Sequence, residues 1–506
     1  MRESLATGAD RTNPLSLLRW HFAGAHPPPP KGREEMGSAP TTTVPPRRYR
    51  AYVRKDIDRI PQLRRYLGPR EMLEMKAVSA VLPFRVNEYV VDELIDWEDV
   101  PEDPIFQLTF PQPGMLDAKD LGALVALVRR DAPAKELEAA AREIQLRLNP
   151  HPAGQMEFNV PVWRGRKLPG MQHKYRETVL FFPSQGQTCH AYCTYCFRWA
   201  QFVGIDELKF ADREAGSLSG YVRDHPEVTS VLLTGGDPLI MRTRHLRRYI
   251  EPLLAPGLEH VTSIRIGTKA TAYWPHRFLS DPDADDLLRL FEEVQASGRT
   301  LALMAHYSHP RELATPAAQA ALHRIRATGA VVRCQAPLVK HVNDSAAVWA
   351  DLWRQQVRLG AIPYYMFVER DTGPKNYFEV PLVRAWEIFR GAFQRVSGLA
   401  RTVRGPSMSA TPGKVVVEGV ADVAGERVFV LKLIQGRDPD WVGRPFFARY
   451  DPRATWLDEL EPALGAPEFF FEAEMREIRA RRRAPPWGEA AAGGEPPASF
   501  GRVEWE

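Results

Sequence analysis

Cys189, Cys193 and Cys196 fall within the segment TCHAYCTYCFRW at the spacing CxxxCxxC, in a chain that has 4 cysteines in all. Three thiolates can hold three irons of a [4Fe–4S] cube. The fourth iron then has no protein ligand and is open to a small molecule. A structural zinc site fits less well, because it wants a closed set of four ligands, and His190 lies between the cysteines in a poor position to complete one. A disulfide framework wants an even count in a secreted chain. The remaining thiol, Cys334, sits inside an apolar run and reads as a core residue.

The elements that must position these cysteines alternate in type. Apolar runs at 178–183, 230–236, 263–269, 300–306, 331–339 and 362–368 read as strands, and amphipathic segments such as 244–254 and 283–298 read as helices between them. The 283–298 helix begins with acids, as its dipole favours, and closes at Gly298. Strands alternating with helices imply βαβ units and a parallel sheet. Six units predict a partial (β/α)6 barrel in an α/β fold, with its chemistry in the loops at the strand C-terminal ends. The cysteine loop, the GGD turn at 235–237 and the HYSHP run all fall at such ends.

Around this core, residues 1–46 are Pro-rich and read as a disordered tail, and 47–174 as a mainly helical N-terminal region that includes a helix over 134–148. The barrel spans 175–414. Residues 415–475 read as an extension with a β-hairpin about ADVAGE, and 476–506 as a solvated tail. The 506 residues carry a net charge of +4, with 44% hydrophobic and 26% charged residues, so nothing calls for nucleic acid or an anionic membrane as partner. With no apolar span and no secretory signal, a reducing cytoplasm is the expected compartment.

The cysteine spacing followed by a GGD turn one strand later resembles the radical S-adenosylmethionine (SAM) superfamily, in which such a turn binds the SAM ammonium. The segments NPHPAGQ (149–155), HKYRETVLFF (173–182), YCTYCFR (192–198), LLTGGDPL (232–239), RIGTK (265–269), AHYSHP (305–310), VNDS (342–345) and PYYMF (363–367) further resemble the lysine 2,3-aminomutase family, over roughly residues 100–420. The resemblance implies a [4Fe–4S] cluster on Cys189, Cys193 and Cys196, SAM, and pyridoxal 5′-phosphate (PLP). The implied reaction moves an amino group from C2 to C3 of an amino acid, with an electron donor such as flavodoxin or ferredoxin and a homo-oligomer among the partners to expect. It places SAM at Gly235, Gly236, Asp237 and His306, with Phe197 beside the cofactors. It puts PLP on Lys414, with Tyr175 next to it and Lys269 and Lys174 near its phosphate. Arg198 meets the substrate carboxylate.

Two departures from the family pattern bear on substrate. Where lysine-specific members place two aspartates against the far ammonium, gapless matching puts Arg370 and Ser407, with Asp371 one residue away. A cation there repels a lysine side chain, so a glutamate-like or other non-lysine substrate is favoured. No cysteine follows Cys334, so the structural zinc of lysine-type members is not expected. The glycine run before the PLP lysine is here SMSATPG. That change leaves open a radical SAM enzyme without PLP. A protein-lysine aminomutase and a non-catalytic iron–sulfur or zinc protein are the other readings.

Overall fold

The computed structural model describes residues 44–150, 152–204, 211–212 and 214–483, and residues from 44 onward cluster as one compact unit. The expected tails at 1–43 and 484–506 lie outside the described residues. The C-terminal boundary at 475 needs correction, since Glu472–Arg483 is a helix. Its polar, Arg-rich composition reads as solvated chain, but Arg and Glu are also strong helix formers.

All six apolar segments form strands of one 11-stranded sheet. Its strands in order are β1 (Met171–Tyr175), β2 (Thr178–Phe181), β3 (Ser230–Leu233), β4 (Ser263–Thr268), β5 (Thr300–His306) and β6 (Val331–Leu338). They continue as β7 (Ile362–Val368), β8 (Arg404–Ser409), β9 (Gly413–Val423), β10 (Glu426–Gly436) and β11 (Pro445–Arg449). Neighbours in sequence are neighbours in the sheet, and β1 and β11 are its two edges. Strands β2 to β8 run parallel. The β1–β2, β8–β9, β9–β10 and β10–β11 pairs are antiparallel.

Six helices connect the parallel strands: α1 (Ala215–Arg223), α2 (Thr243–Ile250), α3 (Ala284–Ala296), α4 (Pro316–Ala327), α5 (Ala346–Arg358) and α6 (Leu382–Phe393). Helix α3 shows why they form. Asp285 and Asp286 sit in its first turn, Leu287, Leu290, Phe291 and Val294 bury one face, and Gly298 stops it at φ 82°.

The strands have two distinct faces, as a period of two requires. In β4, Ile264 and Ile266 are buried in the core while Arg265 and Gly267 line a central cavity. In β5, Leu303 and Ala305 are core while Met304 and His306 line the same cavity. Cys334 in β6 is on the core side, 2% exposed.

The N-terminal region is mainly helical, with Pro69–Val81, Ala118–Arg129 and Ala134–Arg147 as its longest helices. It also holds an antiparallel pair, Ala51–Val53 with Arg85–Asn87, too short for its periodicity to be read from sequence. At the other end, the expected boundary between 414 and 415 cuts through β9. Strands β9 to β11 extend the parallel sheet and carry a second core that includes Val415, Phe429, Leu431, Trp441, Phe446 and Trp456.

One buried carboxylate ties the N-terminal region to the parallel-strand core. Asp103 accepts from the N–H groups of Ile105 and Phe106, capping the helix Pro104–Thr109, and pairs with Arg311 beyond β5. Asp103→Ala is expected to lower stability by about 3 kcal/mol, since it removes a cap and strands a cation. A fall in the urea unfolding midpoint at unchanged slope checks this.

Candidate active site

The segment from Ser184 to Gly204 contains only turns and short 3-10 pieces, so it satisfies only some of its own backbone groups. Its partners come from elsewhere. Tyr192 N donates to Arg85 O at 2.8 Å, and Thr194 N to Leu108 O at 2.9 Å. The His190 carbonyl accepts from Asn87 Nδ2 at 3.1 Å and Tyr49 Oη at 2.8 Å. The N-terminal region is therefore a brace for the cysteine loop.

The GGD turn closes the loop from the other side. A Cβ on Gly236 would come within 2.4 Å of the Thr188 carbonyl oxygen, and one on Gly235, at φ 137°, within 2.2 Å of Gln187 Nε2. Sequence reasoning assigned these glycines to close passage of a ligand; the structure uses them for close passage of the cysteine loop. Asp237 N donates to Thr188 O at 2.7 Å. Its carboxylate accepts from Thr268 Oγ1 and from the amides of Leu239 and Lys269, all within 2.9 Å. Asp237 thus fastens the turn to the end of β4.

Cys189, Cys193 and Cys196 all line one cavity of about 320 Å³ and are free thiols. Burial pushes all three thiols up, Cys196 to about 12, and Cys193 raises both Cys189 and Cys196 further. Among the described residues, no three His, Cys, Asp or Glu converge on a single metal position. Tyr273 Oη lies 3.4 Å from Cys193 Sγ.

Lys174, Tyr175, Phe197, Arg198, Gly235, Gly236, Asp237, Lys269, His306, Arg370 and Lys414 line the same cavity. Lys414 sits on β9, opposite Ser409 on one side and Gln435 on the other. Of the residues that replace the glycine run, Gly413 is the one that has to be glycine. A Cβ there would meet the Gln435 carbonyl oxygen at 2.0 Å. Lys414 Nζ lies 4.5 Å from the Tyr365 ring centroid and 5.8 Å from that of Tyr175. Burial, then the charges of Arg265 and Arg404, bring its amine down to about 7. Burial does the same to Lys174, helped by Arg437, Arg370 and Lys414, and holds it well below its ordinary value.

Arg198 and Arg370 stand over the same ring, their guanidinium carbons 4.9 and 5.1 Å from the Phe197 centroid. Burial lowers Arg198 to about 10. His306 Nε2 is 2.9 Å from the Gln335 amide nitrogen, and burial holds the imidazole neutral, down to about 3.

Three expectations shift. Lys269, expected beside a phosphate, pairs instead with the fully buried Glu312 at 2.6 Å, and its charge acts on Cys193. Ser407 is fully buried and is not among the lining residues. It lies one pleat repeat back from Ser409, the β8 residue that does line the cavity. Asp371 is not among them either. Asn149 Nδ2 donates to its carbonyl at 2.5 Å and to its carboxylate at 3.4 Å. Sequence reasoning missed Arg265, Tyr365, Glu369 and Gln335, which also line the cavity. Three of them alternate with apolar core residues along their strands, the signal that could have found them. Glu369 follows the end of β7.

Comparison with known proteins decides the family. A putative L-lysine 2,3-aminomutase of Aquifex aeolicus is 30% identical over 406 residues, 80% of this chain and 93% of that protein. This chain belongs to the lysine 2,3-aminomutase family of radical SAM enzymes. L-lysine 2,3-aminomutases of Fusobacterium nucleatum (30% over 234 residues, 46% of this chain and 51% of that one) and Clostridium subterminale (25% over 352 residues, 69% and 73%) are also similar. No protein-family model matches. Membership makes the chain an isomerase and implies a [4Fe–4S] cluster and SAM. No helix among the described residues is long and apolar enough to cross a membrane.

Gly236→Ala is expected to push the GGD turn off Thr188 and loosen the cysteine loop. Anaerobic reconstitution should then give less than about half the wild-type iron per chain at unchanged far-UV circular dichroism, since the clash is with backbone that cannot yield.

Proposed function

We propose that this family member is a radical SAM, PLP-dependent 2,3-aminomutase whose substrate is an acidic, glutamate-like amino acid rather than lysine. In this reading the open sheet is a partial (β/α) barrel with the β9–β10 hairpin closing the site. The observation that carries it is a single cavity holding three thiols, the depressed amine of Lys414 and an excess of cations. Lys174, Arg198, Arg265, Lys269, Arg370 and Lys414 face it, against the carboxyls of Asp237 and Glu369. Asp237 is engaged by its own turn, and burial raises Glu369 well above the usual carboxylate range. Among the described lining residues these are the two carboxyls that a terminal ammonium could meet.

The residues divide the work. Cys189, Cys193 and Cys196 hold the cluster, and the GGD turn and His306 face SAM. A cluster and SAM held there would supply one-electron radical chemistry at the substrate's C3. PLP supplies an electron-accepting hold on the migrating amino group. Lys414 is the amine that binds the PLP aldehyde. With its amine at about 7, a large share is uncharged and nucleophilic at neutral pH. The rings of Tyr175 and Tyr365 flank it, and the N–H donors of Arg265 and Lys174 suit a phosphate, whose charge would draw the Lys174 amine back to its protonated form. Arg198 meets the α-carboxylate and Arg370 the side-chain acid, both oriented by Phe197. Walls from β2 to β10 keep water from the radical. An oxygen-sensitive cluster suits the cytoplasm.

Anaerobic borohydride reduction of the PLP-loaded protein, followed by peptide mass spectrometry, is expected to leave a pyridoxyl group on Lys414. Adduct yield should rise as pH climbs through about 7 rather than through the ordinary lysine range near 10.5, because only the neutral amine adds. No adduct on any lysine sinks the PLP assignment and leaves a PLP-free radical SAM enzyme. Arg370→Asp is expected to cut turnover of glutamate at least ~100-fold, since it replaces a charge-assisted pair with a repulsion. A competition assay between glutamate and lysine reads the change.

A further inference from the structure

A second cavity, about 560 Å³, lies on the other side of the cysteine loop. Its lining includes Arg48, Tyr49, His190, Arg242, Trp274 and Arg277. The two cavities share a wall. Cys189 and Ala191 face the cavity already described while His190 between them faces this one, and along the next turn Gly235–Asp237 face the first and Ile240–Arg242 the second. The floor is therefore one residue from a cluster ligand.

The floor is built of aromatic rings in edge contact. Tyr49 meets His190 at 5.6 Å and Trp274 at 5.0 Å between centroids. Tyr49 Oη donates to the His190 carbonyl at 2.8 Å, and the His190 ring is 4% exposed. Nothing in the mechanism above uses these groups.

The rim is cationic. Arg277 is spoken for, since it pairs with Asp283 at 3.0 Å and donates to the carbonyls of Leu239 and Met241. Asp281 accepts from Trp274 Nε1 at 3.0 Å. Arg47 pairs with Asp92 at 2.9 Å. Arg48 and Arg242 are exposed and make no ion pair among the described residues. Helix α2 begins directly after Arg242 and adds the exposed Arg244 and Arg248.

We infer that this face is the docking site of the electron carrier: a small redox protein whose surface around its redox group is acidic. One electron leaves the reduced carrier and enters the cluster, taking it from the 2+ to the 1+ state, and the carrier departs one electron oxidised. No bond in this chain forms or breaks. Entry from this side keeps the carrier out of the cavity in which the radical is made. Free arginines around an aromatic floor attract an acidic partner, and such attraction speeds association and weakens with salt. The inference rests on the cluster that the family implies and is independent of Lys414 and of the substrate.

The test follows cluster bleaching by stopped flow in anaerobic, reconstituted protein without SAM, using reduced flavodoxin as the probe and dithionite as a small reductant for comparison. R48E/R242E is expected to slow reduction by flavodoxin at least ~10-fold at low ionic strength. Iron content and reduction by dithionite should stay at the wild-type level, and R48K/R242K should restore the rate. Wild-type reduction by flavodoxin should slow steeply with salt, and the double variant should not. Equal flavodoxin rates in wild type and variant, or a wild-type rate indifferent to salt, overturn the inference. So does an equal slowing with dithionite, which would mark the cavity as a port for small reductants. If R48E/R242E loses iron, R244E/R248E on the adjoining helix α2 carries the same expectation and the same refutation.

Discussion

Backbone hydrogen bonding across the cysteine loop is the constraint on which the rest of this structure depends. The loop must hold three thiols apart at fixed spacing, yet it has no helix or strand of its own between Ser184 and Gly204 beyond short 3-10 pieces. Its polar backbone is buried, and each unmet group would cost a few kcal/mol. The debt is met from two sides. Asn87, Arg85, Leu108 and Tyr49 reach in from the N-terminal region. Asp237 and Thr188 join the loop to the next strand. The N-terminal helices are thus more than a cover: without them the cysteine loop has no template.

The second organising fact is charge in a dry place. Among the described residues, six Lys and Arg side chains and two carboxyls line the central cavity, and burial raises the Glu369 carboxyl well above its ordinary range. Such a site is unstable in itself and pushes its amines toward neutrality, as Lys174 and Lys414 show. An anionic occupant relieves that strain, and the same low dielectric that penalises the empty site strengthens its grip on a phosphate or carboxylate. Lys269 instead pairs with the buried Glu312, at 2.6 Å.

What the sequence told and withheld follows from the range of each interaction. The cysteine motif is local, so it was readable. The six parallel strands were readable because each is an apolar run bounded by turns. That Lys414 lines the cavity was readable only through resemblance, because nothing local marks a lysine that follows TPG. The partnership of Lys269 with Glu312 spans β5 and was invisible to a reading of strand ends. Ser407 was miscounted because a gapless match gives a position on a strand and says nothing of depth. Strand β8, RGPSMS, was missed for want of β-branched residues. The brace from residues 49–108 was missed because it acts through backbone carbonyls and amides, which no side-chain pattern records.

Lys414 is held on a strand between β8 and β10, and that strand continues into the second core around Trp441 and Phe446. The lysine's position is therefore set by packing some distance away, among residues that touch no ligand. A substitution in that outer layer therefore reaches the cavity through the strand, by shifting Lys414 against Tyr365 and Tyr175.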